Sequence, residues 1–206
     1  MLMKIYGLLL RHHGPQYWWP CRTGNKFEIC IGAILTQNTN WANVEKAISN
    51  LIDAKAIGPE KISRMNSRKL QSLIKSSGFF RQKARRLKEF SRFVLTFRDT
   101  GNFLRSVTRD QLLGVKGIGR ETADSILLYA CGKPYFVVDT YTRRMLSSLG
   151  LVNSEDYEGV RRLFEDNIPR DAGLYKEFHA LIVKHAKTCC RGLVKDGCIL
   201  MNLKGQ

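Results

Sequence analysis

Residues 113–124 read Leu-Gly-Val-Lys-Gly-Ile-Gly-Arg-Glu-Thr-Ala-Asp, and the glycines Gly117 and Gly119 bracket one apolar residue. The flanking pattern fits a helix ending near Leu113 and a new one running to about Tyr129, so both glycines fall in the turn of a helical hairpin. Glycine permits positive φ at both positions and leaves backbone N–H groups uncovered. Amides aimed outward at a helix N-terminus can hold a phosphate oxygen without reading sequence. That is the chemistry of a nucleic-acid backbone anchor, and the alternative is an ordinary helix connection with a glycine cap. Asp139 follows eighteen residues after Glu121, at the end of the apolar run 135–138 and before a helical pattern. Its carboxylate therefore sits at a helix N-terminus, where the dipole favours the ionised form. Such an Asp can cap the helix, and it can also stabilise a developing cation or orient a water.

Groups of this kind act on a polyanion only if the chain is attracted to one. The 206 residues carry 34 Lys/Arg against 18 Asp/Glu, a formal charge of +16 that is too one-sided for a typical metabolic enzyme. Between Lys61 and Arg98 stand twelve basic residues against the single Glu89. Phe79 and Phe80 interrupt that segment directly after Gly78, among Lys75, Arg81, Lys83, Arg85 and Arg86. A solvated helix face with two core phenylalanines accounts for this pattern. So does a basic face that neutralises phosphates while an aromatic at the turn wedges into a base stack. No apolar run approaches the roughly 18 residues of a membrane span, which argues against a membrane partner. The first residues lack the cleavage pattern of a signal peptide and read as a first helix, so a cytoplasmic protein is expected, nucleoid-associated in a prokaryote.

The elements that must position these groups are helices. Ile34 and Leu35 with Val44, Ala47, Ile48 and Leu51 follow a 3.6-residue period, as do Leu87, Phe90, Val94 and Phe97. Helix starts are expected at Asn40, Ser67, Thr108 and Ser154, each a residue type that caps. The run 135–138 is too short for a sheet and reads as an extended lead-in to the next helix. Of six cysteines, Cys21, Cys30 and Cys131 stand among apolar neighbours as buried thiols, whereas Cys189, Cys190 and Cys198 cluster near the C-terminus.

The glycine hairpin, its spacing to Asp139 and the upstream string Leu35-Thr36-Gln37-Asn38-Thr39 together resemble the endonuclease III superfamily of helix-hairpin-helix DNA glycosylases, over residues 27–188. The resemblance implies an all-α fold with a DNA-binding cleft. A six-helix barrel domain over 22–134 would contain the hairpin, and a second helical domain would be built from 1–21 plus 135–206. Asp139 is then the catalytic residue and Gln37 fills the hole left by a flipped nucleotide. Phe79 is the wedge beside the opposite base, and Lys116, Gly117, Gly119 and Arg120 contact DNA. Glu121 stands where bifunctional members carry the lysine that forms a Schiff base, so the resemblance implies base release by water without strand cleavage. The string Trp18-Trp19-Pro20, taken with the two motifs above, most resembles the 3-methyladenine DNA glycosylase III branch. A purine alkylated at N3 or N7 is cationic and suits electron-rich indoles, so Trp18, Trp19 and Trp41 are candidates for the base pocket, with core packing as the alternative for each.

The family pattern fails at the tail. Many members hold an iron–sulfur cluster with four cysteines, but with Cys198 in the third place the others fall on Thr188, Lys195 and Lys204. A zinc set of His185, Cys189 or Cys190, and Cys198 matches no common spacing, so no cofactor and no metal are expected. His12, His13, His179 and His185 show no mutual spacing for catalysis and read as surface or satisfied interior histidines. The expected partner is double-stranded DNA carrying a damaged base, bound by a monomer. The alternatives are a glycosylase for mismatched thymine or uracil or another damaged base, a non-catalytic DNA-binding module, and an RNA- or ribosome-associated helical protein.

Overall fold

The computed structural model describes residues 1–153, 156–190 and 197–203. Among these residues all regular structure is helical, as the 3.6-residue spacing predicts, and none of the helices is long and apolar enough to cross a membrane. In chain order the α-helices are α1 (Leu2–His13), α2 (Phe27–Leu35), α3 (Trp41–Asp53), α4 (Pro59–Arg64), α5 (Ser67–Leu73) and α6 (Phe80–Val94), then α7 (Thr100–Ser106), α8 (Arg109–Leu113), α9 (Arg120–Ser125), α10 (Thr140–Ser148), α11 (Tyr157–Asn167) and α12 (Ala172–His185). A π-type turn extends α9 through Ile126–Ala130, and another extends α12 through Ala186–Cys190. The chain divides into two compact units, one of Pro20–Cys131 and one of Met1–Trp19 with Gly132–Gln206.

Within Pro20–Cys131, α2 lies at the centre because it offers no polar face. All nine of its residues are buried, and it packs on α3, α6, α9 and the following π-turn. Its one charge, Glu28, accepts the N–H groups of Arg22 and Thr23 and the Thr23 hydroxyl at 2.7–2.9 Å, which offsets the cost of burying a carboxylate. On α6, Leu87, Phe90 and Val94 face the core as predicted, with Phe90 stacked on Phe27. The helix stops at Val94, however, so Phe97 lies beyond it and packs edge-on against Phe93 and Phe103. Asn40 and Thr108 cap α3 and α8 as expected, whereas α5 is capped by Asn66 rather than Ser67, because the Asn66 amide already accepts the N–H groups of Arg68 and Lys69. Asp124, wholly buried on α9, pairs with Arg109 of α8 through two bonds of 2.7 and 3.1 Å and so fixes the helices on either side of the hairpin turn. Cys30 is buried, but Cys21 and Cys131 are only half-buried.

In the unit formed by the chain ends, Phe136 stacks on Phe164 at 3.7 Å and meets Tyr175 and Phe178 edge-on. The run 135–138 has no regular secondary structure, as expected of a segment too short for a sheet, and it delivers Asp139, itself extended, to the N-terminus of α10. Both α1 and α10 pack on α12. The expected cap at Ser154 lies outside the described residues, and Asp156 caps α11.

Candidate active site

The hairpin turn occupies 114–119, between α8 and α9. Of its two predicted positive-φ glycines only Gly117 qualifies, at +92°, while Gly119 has φ −91° and is the extended N-cap of α9. Gly117 is required on a second count, because a Cβ there would lie 2.6–2.9 Å from atoms of the Arg86 side chain. A Cβ on Gly119 would meet nothing, so this glycine contributes open space before the first N–H groups of α9.

Gln37 is fastened to this turn. Its Nε2 donates to the Gly117 carbonyl at 3.1 Å and to the Thr122 hydroxyl at 2.9 Å, and Arg86 donates to its Oε1. Arg86 thus joins a cluster in which the sequence singles out only Gln37 and Gly117. Lys116 and Arg120 are exposed, and Lys116, Gly117, Arg85 and Arg86 help to line an open groove of about 400 Å³. Phe79 is 65% exposed with φ +45°, a left-handed backbone that aromatic residues seldom adopt. Glu121 is exposed in the first turn of α9, and Trp41, half-buried, opens α3.

Lys83 corrects the reading of the basic segment as surface. It is buried, and its Nζ donates to the carbonyls of Leu35 at 2.8 Å and Ser77 at 2.6 Å. Burial, and next the charge of Arg86, lower its pKa to about 8. Lys83 thereby ties the segment leading to Gln37 to the segment leading to Phe79. Helical periodicity carries the signal, since Lys83 shares a face with Leu87 and Phe90 at i, i+4 and i+7.

In the other unit, Asp139 caps α10 with Oδ1 accepting the Thr142 N–H at 2.7 Å, while Oδ2 lies 3.6 Å from His179 Nε2. Burial pushes this carboxyl up, but the interaction with the nearby His179 imidazole, followed by the Thr142 hydrogen bond, outweighs it and leaves the pKa below its ordinary value. The side chain stays 15% exposed. Trp18 lies parallel to His179 with ring centroids 5.9 Å apart, and Trp19 parallel to Trp18 at 5.1 Å. Carboxylate, imidazole and two indoles therefore follow one another within this unit. Sequence reasoning does not reach His179, because forty residues separate it from Asp139 and no spacing rule joins them.

The remaining histidines are surface or bonded interior side chains as expected, but His12, His13 and His185 converge on one corner. His13 Nε2 is 2.9 Å from His185 Nδ1, His185 Nε2 is 3.1 Å from Cys198 Sγ, and His12 Nε2 is 3.8 Å from Cys189 Sγ. Burial, followed by the neighbouring histidines, lowers His185 to about 4. Among the described residues this corner holds imidazoles and the thiols of Cys189 and Cys198, while Thr188 turns its hydroxyl to the Lys184 carbonyl.

Comparison with known proteins bears on all of this geometry. Residues 31–170 match the family described as HhH-GPD superfamily base excision DNA repair protein. A protein of Methanocaldococcus jannaschii, provisionally assigned as a DNA repair glycosylase, is 45% identical over 198 residues, covering 93% of this chain and 89% of its own. Endonuclease III of Thermotoga maritima is 31% identical over 165 residues, covering 80% and 75%. The crystal structure of the Helicobacter pylori 3-methyladenine DNA glycosylase bound to 1,N6-ethenoadenine superposes with a TM-score of 0.78 at 38% identity, over 90% of this chain and 95% of that one. An endonuclease III–DNA complex, at 23% identity and a TM-score of 0.82 over 100% and 95% of the two chains, shares the fold. With its glycine hairpin, its helix-capping Asp139 and these relatives, the chain belongs to the HhH-GPD superfamily of base excision DNA repair proteins and is a DNA glycosylase of that family.

Proposed function

We propose that this glycosylase is monofunctional, extrudes a damaged base from duplex DNA and hydrolyses its N-glycosidic bond, with alkylated purines such as 3-methyladenine as the leading substrates. One observation carries the reading: an ionised Asp139, held beside His179 in line with Trp18 and Trp19, on a chain with Glu121 where the Schiff-base enzymes need an amine. A purine alkylated at N3 or N7 is cationic, so the glycosidic electron pair neutralises the ring as the base leaves and no strong general acid is required. The sugar becomes an oxocarbenium-like cation, which the Asp139 carboxylate stabilises while it orients a water toward C1′; the water's proton passes to the carboxylate or to solvent. Indole faces favour the cationic base over its neutral parent. The bound ligand of the Helicobacter pylori relative, itself a modified adenine, supports this substrate class.

On this reading the chain works as a monomer, and its DNA-gripping parts take separate duties. The amides near Gly117 and Gly119, with Lys116 and Arg120, hold phosphates; Gln37 occupies the gap left by the extruded nucleotide; Phe79 wedges beside the opposite base. Duplexes bearing one 3-methyladenine, uracil, G·T mismatch or 8-oxoguanine, incubated with and without alkali, test the proposal. The expected result is base release from the alkylated duplex, with strand cuts appearing only after alkali. Preferential loss of uracil or thymine would reassign the substrate, and direct scission would overturn the inference from Glu121. Equal inactivity of wild type and Asp139→Asn on every lesion, with DNA binding intact, would leave a non-catalytic DNA-binding module.

A further inference from the structure

We propose that His12, His13 and Cys189 form a site for one zinc-type divalent ion, which ties the end of α1 to the turn that follows α12. The donor atoms of these three side chains all lie within 4.8 Å of one another. A tetrahedral zinc with bonds of about 2.0–2.1 Å to nitrogen and 2.3 Å to sulfur sets its donors roughly 3.4–3.6 Å apart. The His12 Nε2 to Cys189 Sγ distance of 3.8 Å already approaches that value. His12 and Cys189 are exposed and His13 is half-buried, so small rotations at the surface suffice to close the set.

The chemistry of the donors names the class of ion. Two imidazoles and a thiolate suit a borderline-soft cation such as zinc, whereas magnesium and calcium require oxygen. Three protein donors leave a fourth position for water. The outer groups are built as well. His185 holds His13 through a 2.9 Å contact between ring nitrogens, and its second nitrogen meets Cys198 Sγ at 3.1 Å, an arrangement that orients a ligating ring as second-layer partners of metal sites do. The histidines come from the last turn of α1 and the last turn of α12, helices that already pack together. An ion there would close the N-terminal and C-terminal segments of one unit. Adjacent His12 and His13 match no common zinc spacing with Cys189, which is why the site is invisible in the sequence.

Tag-free protein, purified without chelators, should contain close to one zinc per chain by mass spectrometry of metals. Stripped protein titrated with Co²⁺ should develop the d–d bands of a tetrahedral site and a thiolate charge-transfer band. Cys189→Ser should abolish the charge-transfer band, and His12→Gln should abolish stoichiometric binding, whereas Cys131→Ser should leave both unchanged. His185→Gln should weaken zinc affinity about 10- to 100-fold, the usual effect of removing an outer partner. Zinc should raise the melting temperature of the wild type and not that of His12→Gln. Absence of stoichiometric binding, Co²⁺ spectra unaltered by Cys189→Ser, or an iron–sulfur chromophore in anaerobic preparations would each overturn the proposal. None of these readouts depends on glycosylase activity.

Discussion

At the scale of single residues, the question is what keeps Asp139 ionised despite its burial. His179, 3.6 Å away, is the largest opposing influence, with the Thr142 N–H beside it. Asp139→Asn keeps the shape and removes the charge, and loss of one preorganised electrostatic partner of a developing charge costs about 10²- to 10³-fold in rate, which single-turnover base release would measure. His179→Ala has a different signature. Burial then acts on the carboxyl without its main opponent, so the acidic limb of the pH–rate profile should move to higher pH, with kcat more affected than KM. Stability follows the same sign. The folded carboxyl titrates below its unfolded value, so its contribution is complete above the unfolded pKa and is lost as pH falls through the folded one. Asp139 was legible because an extended apolar run ending in Asp before a helix is a local pattern. His179 and Arg86 were not, because each acts through a contact that only the fold creates.

At the scale of elements, the hairpin was legible as a turn between two helices, but its two glycines have different jobs. Gly117→Ala places a Cβ 2.6 Å from Arg86 at φ +92°, and left-handed backbone alone costs an L-residue roughly 1–2 kcal/mol. Denaturant titration should show at least that loss, accompanied by weaker DNA binding as Arg86 releases Gln37. Gly119→Ala, with ordinary φ and open space, should leave stability nearly unchanged, so any loss of DNA affinity there isolates access to the α9 amides. Lys83 makes the complementary case. Counting charges along α6 hides one that points inward, because only a helical projection separates it from its exposed neighbours. Its pKa of about 8 in the fold, against 10.5 ordinarily, means that the unfolded chain binds the extra proton between those values, so this group makes stability rise with pH across that window. Lys83→Met should flatten that rise in unfolding curves measured across the window. By leaving the Leu35 and Ser77 carbonyls without their donor, it should also loosen the segments that carry Gln37 and Phe79.

For the whole molecule, charge was the most legible property and the least specific. Pro20–Cys131 holds 20 Lys/Arg against 9 Asp/Glu, a larger excess than the remainder of the chain carries, and it is the unit that contains the hairpin and Phe79. Composition alone allows any polyanion, and the structure narrows this by showing which cations are committed elsewhere. Arg109 is paired with Asp124, Lys83 is buried and Arg86 holds Gln37, whereas Arg85 and Lys116 are exposed beside the hairpin groove. Each cation that touches a phosphate displaces condensed counterions, so the logarithm of affinity falls with the logarithm of salt by about 0.9 per contact on duplex DNA. Arg85→Ala and Lys116→Ala should each lower that slope by about 0.9 and weaken lesion-bearing and undamaged duplexes alike, as fluorescence anisotropy over a salt series would record. Phe79→Ala, which removes no charge, should leave the slope intact and reduce the preference for lesion-bearing duplex, because a wedge acts on the base stack and not on the phosphates. A slope unmoved by both cation variants would mean that this groove lies off the path of the DNA.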